Sequence, residues 1–349
     1  MRVLNMMLGR NPGGIEQSCI DYYEALTLAG HEVLTITRPG AWVNEPLAEL
    51  DAPVRTLAHL GEWDPLAARK LRRIAREWQA DIAIGQGNRA IGLGLRALKK
   101  RVPVVAVAQN YKIKRFPQCD GVFCTTEDLI NEMIARDIPR DRVFHMPNMA
   151  RVPEGMEPRN EFHTPRIIGS MGRFVEKKGF THFLQALSIL KKADIPFTAK
   201  LGGGGALEDE LKAEAKAYGL EEELEFSGWV KDKRAFFDEI DIFVLPSLHE
   251  PFGIVLIEAM AHGLPCITTD SEGPCEIIEP GADAMLVPKA DPAIMAEALR
   301  ELIEHPDNAA EMAANALQKV TDIYDVKQAS KRLDAAINAL LTPLSQDKA

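Results

Sequence analysis

The sequence predicts an α/β protein made of two Rossmann-like, doubly wound parallel-sheet domains facing a cleft. Three observations lead there. The chain has 349 residues, room for about two domains of ~150 residues with ordinary cores. Short β-like runs alternate with helical patterns through most of it. The alternation then breaks at a polar, proline-bearing stretch, 149–165, and restarts.

In the first half, RVLNMML (2–8) reads as a strand followed by a glycine-containing turn. The pattern from Ile15 to Leu28 sets Ile15, Cys19, Tyr22 and Leu26 on one helical stripe, ending at the C-cap signal Ala29-Gly30. Strands follow at EVLTIT (32–37), DIAIG (81–85), VPVVAVA (102–108), DGVFCT (120–125) and RVFHMP (142–147), with helices at 65–80 and 126–136. The second half repeats the layout: RIIGSMG (166–172), a helix over 181–193, FTAKLGG (197–203), ELEFSG (223–228), DIFVLP (241–246), LPCITT (264–269) and AMLVP (284–288). The expected division is an N-terminal domain over 1–155 and a C-terminal domain over 166–325. The last long helix, 326–342, has no following strand and is a candidate to pack back on the first domain. Open parallel sheets bind ligands at their strands' carboxyl ends.

Composition is ordinary for a globular protein, with 46% hydrophobic and 26% charged residues. No apolar run reaches the ~18 residues of a membrane span, and MRVLNMMLGRNPGG reads as a first strand rather than a signal peptide. The net charge of −10 argues against a nucleic-acid partner. That charge is uneven. Residues 1–150 carry 20 Lys/Arg and 17 Asp/Glu, whereas 151–349 carry 21 and 34; within 65–115 there are 13 basic and two acidic residues. Arg69, Lys70, Arg72, Arg73 and Arg76 share one predicted helix, and Lys99, Lys100, Arg101, Lys112, Lys114 and Arg115 follow it in sequence. Such a region is either a solvated face or a surface for an anionic partner. The five cysteines (Cys19, Cys119, Cys124, Cys266, Cys275) form no CxxC, and the eight histidines form no ligand cluster. Packed thiols in a reducing compartment fit better than disulfides, and no metal site is expected. Asp241, in DEID, reads as the start of a buried strand rather than a metal ligand.

Three constellations carry candidate chemistry. In HEPFGIVLIEAMAHG (249–263), Glu250 lies in the loop after DIFVLP, and Glu258 lies on the second turn of a helix running from about Gly253 to His262. The amides of Phe252, Gly253 and Ile254 stand at that helix start without intrahelical partners, suited to hydroxyls or anions of a ligand. The alternative is a capped surface helix with two solvated glutamates. In GRFVEKKG (172–179), Arg173 and Lys178 follow a strand and could clamp a diphosphate, Arg with planar paired donors and Lys as a compact charge; a plain charged loop is the alternative. In GRNPGGIEQS (9–18), Gly13 and Gly14 open the first helix and permit close ligand approach, and LGGGG (201–205) follows a strand; neither matches GxGxxG, and a flexible turn is the alternative for both.

Taken in this order, the segments resemble the family-4 retaining glycosyltransferases of GT-B fold. The resemblance spans nearly the whole chain and is carried above all by FSGWVKDKRAFFDEIDIFVLPSLHEPFGIVLIEAMAHGLPCITTDSEGPCEII (226–278), with E-x7-E, here Glu250 to Glu258, its most specific element. The resemblance implies transfer of a sugar from a nucleotide-diphosphate sugar, UDP- or GDP-linked, to an acceptor hydroxyl with retention and without a bound metal or other cofactor. It implies that Glu250 contacts sugar hydroxyls, Glu258 the nucleotide ribose, and Arg173 and Lys178 the diphosphate. Amides at Phe252, Gly253 and Ile254 would meet sugar or phosphate, Gly13 and Gly14 would approach the donor, and Trp229-Val230 would lie against the nucleobase. Many relatives carry a His after the strand read here as VPVVAVA. This chain has Gln109 and Asn110 there, so no first-domain histidine is assigned a catalytic role. Gln109, Asn110, Asn88 and Arg89 are either donor- or acceptor-side contacts or a polar strand exit. With the basic density of 65–115, the expected acceptor is an anionic cell-envelope glycolipid or polysaccharide precursor, with cytoplasmic location and peripheral membrane contact through 65–115. Competing readings are a non-catalytic nucleotide-sugar-binding subunit and another GT-B enzyme such as a nucleotide-sugar 2-epimerase.

Overall fold

A computed structural model describes residues 1–111 and 114–346. The chain divides into two compact units, Met1–Met149 together with the chain from Val326, and Ala150–Asp325.

In the first unit the order is β1 (Arg2–Met7), α1 (Gly14–Leu28), β2 (Glu32–Thr37), α2 (Asn44–Glu49), β3 (Val54–Thr56), α3 (Pro65–Trp78), β4 (Ile82–Gln86), α4 (Gly87–Leu98), β5 (Val104–Ala108), β6 (Gly121–Cys124), α5 (Glu127–Ala135) and β7 (Val143–His145). The seven strands form one parallel sheet, β3-β2-β1-β4-β5-β6-β7. Its inner strands β2, β1, β4, β5 and β6 are buried on both faces, as a sheet covered by helices requires. Leu4 and Met6 point into the layer with α3, α4 and α5, and Val3 and Met7 into the layer with α1. The final helix of the chain packs in that second layer: Ala329, Leu333, Ile337 and Leu340 join Cys19, Tyr22 and Leu26 of α1.

In the second unit the order is β8 (Arg166–Arg173), α6 (Phe180–Lys192), β9 (Phe197–Gly204), α7 (Glu208–Ala217), β10 (Leu224–Gly228), α8 (Lys233–Asp238), β11 (Ile242–Leu245), α9 (Ile254–Ala261), β12 (Cys266–Thr269), α10 (Glu272–Ile277), β13 (Met285–Val287), α11 (Pro292–Glu304) and α12 (Pro306–Lys319), after which α13 (Val326–Gln346) returns to the first unit. Its six strands are parallel in the order β10-β9-β8-β11-β12-β13. Each unit is thus a doubly wound α/β sheet.

Residues 150–165 correct the expected linker and the boundary at 155. They belong to the second unit from Ala150 onward because their polar groups find partners there. Ala150 N donates to Tyr324 O at 2.9 Å and Arg159 N to Gly263 O at 2.8 Å. Asp241 is fully buried immediately before β11, and its carboxylate accepts from Ile167 N at 2.8 Å and pairs with His163 Nδ1 at 2.9 Å. It ties this segment to the sheet, as its reading as a structural residue requires.

Local sequence explains the best-defined helix. Asp64 caps α3 by accepting from Leu66 N at 2.9 Å and Ala67 N at 3.0 Å, Pro65 takes the first helical position, and Ala67, Ala68, Leu71, Ile74 and Ala75 form the buried stripe. Four cysteines, Cys19, Cys119, Cys124 and Cys266, are buried free thiols and Cys275 is exposed; burial pushes the Cys119 and Cys124 thiols up to about 12. No helix among the described residues is long and apolar enough to cross a membrane.

Candidate active site

Two loops at the carboxyl ends of neighbouring strands build the core of the site. The first leaves β8 at Arg173, makes a tight helical turn over Glu176–Lys178, and enters α6 through Gly179. The second leaves β11 at Leu245 and enters α9 through Gly253. They are joined main chain to main chain: Leu248 N and His249 N both donate to Lys177 O, at 2.8 and 3.2 Å. That junction brings together two predicted residues 72 positions apart, the Lys178 ammonium and the Glu250 carboxylate, as a hydrogen-bonded ion pair. Their side chains are 16% and 12% exposed, so solvent screens the pair only partly.

The second loop is braced from the far side. Thr269 Oγ1 donates to Ser247 O, and Gly273 N donates to Glu250 O at 2.8 Å. Glu272 accepts from Glu250 N at 3.2 Å and pairs with His249 Nδ1 at 3.0 Å. Burial works to raise the Glu272 carboxyl, but the hydrogen bonds from His249 and from the main chain at Glu272 and Glu250 outweigh it and hold the group below its ordinary value. These braces join residues more than 20 positions apart. The only trace of them in the sequence is the glycine at 273, where any Cβ would stand 2.2 Å from Phe252 Cα.

At the start of α9, Gly253 has φ 107°, and no side chain caps the helix. The amides of Phe252, Gly253, Ile254 and Val255 have no partner among the described residues, which leaves the positive end of the helix open to hydroxyls or anions. Glu258 lies one turn further on, 14% exposed. Its Oε1 pairs with Lys233 Nζ at 2.5 Å, and its Oε2 is buried with no hydrogen-bond partner among the described residues. Lys233 was not anticipated from sequence.

Arg173 is exposed at the end of β8, with no ion pair or side-chain hydrogen bond among the described residues. The glycine run at 201–205 is not a flexible turn. Gly202–Gly204 complete β9, and a Cβ at Gly203 would stand 1.9 Å from Gly172 O. Small residues let β9 lie flush against the strand that delivers Arg173. Val230 rests over Gly202, where a Cβ would meet Val230 Cγ2 at 2.4 Å, and Trp229 beside it is half exposed.

In the first unit, Gly13 caps α1 in an extended conformation with no side-chain cap, and Gly14 begins the helix. The Glu16 carboxylate bends over this turn: a Cβ at Gly9 or Gly13 would lie 2.2 or 2.9 Å from its oxygens. Gln109 follows β5 and is held in a polar cluster, its Nε2 donating to Ser18 Oγ at 2.8 Å and to Gln86 Oε1 at 3.2 Å. Asn110 is half-buried next to it, and Asn88 and Arg89 lie in the first turn of α4 rather than in a loop. Of the basic residues noted in 65–115, Arg115 is paired with Glu62, and Lys112 lies outside the described residues. Among the described residues no group of three His, Cys, Asp or Glu side chains is placed to hold a metal ion.

Family membership follows from the sequence matches. Residues 153–319 match the model of the glycosyl transferases group 1, and residues 12–150 match that of glycosyltransferase family 4. Together the two cover most of the chain, which belongs to the group 1 glycosyltransferases of GT-B fold. It is 28% identical over 311 residues to the lipopolysaccharide core biosynthesis glycosyltransferase LpsE of Rhizobium meliloti (strain 1021), covering 87% of this chain and 89% of that one. It is 26% identical over 304 residues to the lipopolysaccharide core biosynthesis mannosyltransferase LpcC of Rhizobium leguminosarum bv. viciae, covering 81% and 82%. Among solved structures, Anabaena Alr3699/HepE in complex with UDP shares the fold with a TM-score of 0.82 at 20% identity, over 97% of this chain and 100% of that one.

Proposed function

We propose that this chain is a retaining glycosyltransferase that moves a sugar from a nucleotide-diphosphate sugar to a hydroxyl of an anionic cell-envelope glycolipid or polysaccharide precursor. The observation that carries the reading is the junction of the Arg173–Gly179 and Pro246–Gly253 loops, which sets Lys178 and Glu250 side by side next to open helix amides. In this reading Lys178 and Arg173 take the diphosphate, and their charge stabilises the leaving group as the glycosidic bond breaks. Glu250 turns to sugar hydroxyls once the diphosphate engages Lys178. The Phe252–Ile254 amides contact sugar or phosphate. The bare Oε2 of Glu258 accepts from the ribose, with the base beside Trp229 and Val230. Gly13 and Gly14 approach the donor, and Gln109, Asn110 and Asn88 meet donor or acceptor. The acceptor oxygen attacks the face from which the nucleotide leaves, and the departing phosphate takes its proton. Catalysis is then mainly positioning and charge stabilisation, and no protein nucleophile is needed. The fold-sharing HepE has been solved with UDP and with UDP-glucose, which supports a nucleotide sugar; the names of LpsE and LpcC support a lipopolysaccharide-type acceptor.

The test is a thermal-unfolding panel with UDP-, GDP- and ADP-sugars. One nucleotide class is expected to raise the melting temperature in proportion to ligand-linked stabilisation, and incubation of that sugar with an envelope-lipid extract is expected to release its nucleoside diphosphate. No shift with any of the three at millimolar concentration would remove the reading.

Peripheral attachment to an anionic membrane on the cytoplasmic side is part of the same proposal. Leu66, Arg69, Lys70 and Arg73 lie at i, i+3, i+4 and i+7 on the exposed face of α3. Arg69, Lys70 and Arg76 have no ion pair or side-chain hydrogen bond among the described residues. Leu60, Trp63 and Leu66 are 101, 71 and 78% exposed. Large apolar side chains bare in water beside cations suit the headgroup boundary of an anionic bilayer. Sedimentation with phosphatidylcholine vesicles containing phosphatidylglycerol is expected at low salt, and loss at high salt. Trp63→Ser with Leu66→Ser is expected to weaken it. No sedimentation at low salt would leave α3 a solvated face.

A further inference from the structure

Glu258 is held from a direction the family pattern does not indicate. Lys233 opens α8, just after the Trp229–Val230 loop, where Asp232 fixes the helix start by accepting from Ala235 N at 3.0 Å. From there Lys233 Nζ reaches Glu258 Oε1 at 2.5 Å across 25 positions of sequence. The two oxygens of Glu258 therefore differ: Oε1 is paired, and Oε2 is buried with no partner among the described residues. A buried acceptor left bare costs stability unless something supplies a donor. A ligand hydroxyl supplies one, and a carboxylate pinned through its other oxygen presents the bare one in a fixed direction. The same contact ties the loop bearing Trp229 and Val230 to helix α9.

We propose that Lys233 is a positioning residue for the nucleotide. It pins Glu258 through Oε1 so that Oε2 meets a ribose hydroxyl. The proposal rests on the donor reading above, and its test separates the two. Wild type, Lys233→Met and Lys233→Arg are titrated calorimetrically with UDP, GDP and ADP, then with the 2′,3′-dideoxy form of whichever binds wild type. Lys233→Met is expected to weaken the ribonucleotide about tenfold and the dideoxy form less than about twofold, since the effect passes through the ribose hydroxyls. The KM for the nucleotide sugar is expected to rise about tenfold with kcat within about twofold of wild type, and Lys233→Arg to recover most of the affinity. Equal weakening of both nucleotide forms would overturn the proposal, because Lys233 would then act on phosphate, base or fold. If folded wild type binds none of the three nucleotides, the donor reading falls and this proposal with it.

Discussion

Lys178→Ala is expected to lower kcat about 10²–10³-fold, the usual effect of removing one group that stabilises charge developing in the transition state. The ion pair with Glu250 complicates that result in a usable way. Removing the lysine also strands a carboxylate that is only 12% exposed, and an unpaired buried charge destabilises the fold. A drop in activity alone therefore does not separate chemistry from folding. Set against Glu250→Gln alone, which carries the loss of the sugar contact, the double variant Lys178→Ala/Glu250→Gln does, because it removes the stranded charge. Its urea midpoint is expected to recover toward wild type while transfer stays lost, and the two single effects are expected to be strongly non-additive in stability. Nucleoside diphosphate affinity should fall in Lys178→Ala, whereas the corresponding monophosphate should lose little. Wild-type turnover by folded Lys178→Ala would take this lysine out of the reaction.

The parallel α/β layout was legible because strands buried on both faces are continuous apolar runs, such as VVAVA in β5, separated by helices with their own punctuation, such as Asp64-Pro65 ahead of α3. What escaped has local causes. Strand β3 is three residues, two of them exposed, too short for a period to register. Helix α4 carries Gly87, Gly92 and Gly94, which lower its helical signal. The last two lie close under neighbouring side chains: Cβ atoms there would stand 2.6 Å from Glu62 Oε2 and 2.8 Å from Met6 Cε. In the site, Glu250, Glu258 and Lys178 could be seen because each lies in a local pattern. The pairings that hold the two glutamates could not. Lys178 meets Glu250 across 72 positions, and Lys233 meets Glu258 across 25. No one-dimensional pattern encodes which lysine pairs with which glutamate. The LGGGG run was visible but ambiguous, because glycine serves a flexible turn and a close strand contact equally well.

Gly179→Ala is expected to lower stability by about 3 kcal/mol, a large loss for a single added methyl group, from a named steric cause. Gly179 sits at φ 66°, closing the turn that carries Lys178 and starting α6. Left-handed backbone alone costs an L-residue about 1–2 kcal/mol. Gly281 isolates that cost: its φ is 82° and no atom lies within 4 Å of a Cβ built there. A Cβ at Gly179 instead stands 2.0 Å from Pro246 O, so the main chains of the two site loops must separate to admit it. Separation strains the hydrogen bonds from Leu248 and His249 to Lys177 O, the contacts that align Lys178 with Glu250. The paired measurement is chemical denaturation with nucleotide titration. Gly281→Ala should lose about 1 kcal/mol and keep wild-type nucleotide affinity. Gly179→Ala should lose about 3 kcal/mol and, where still folded, bind the nucleoside diphosphate more weakly. Equal stability losses in the two variants would mean that the loops part without cost. The close approach at Pro246 would then not be what holds the lysine and the glutamate together.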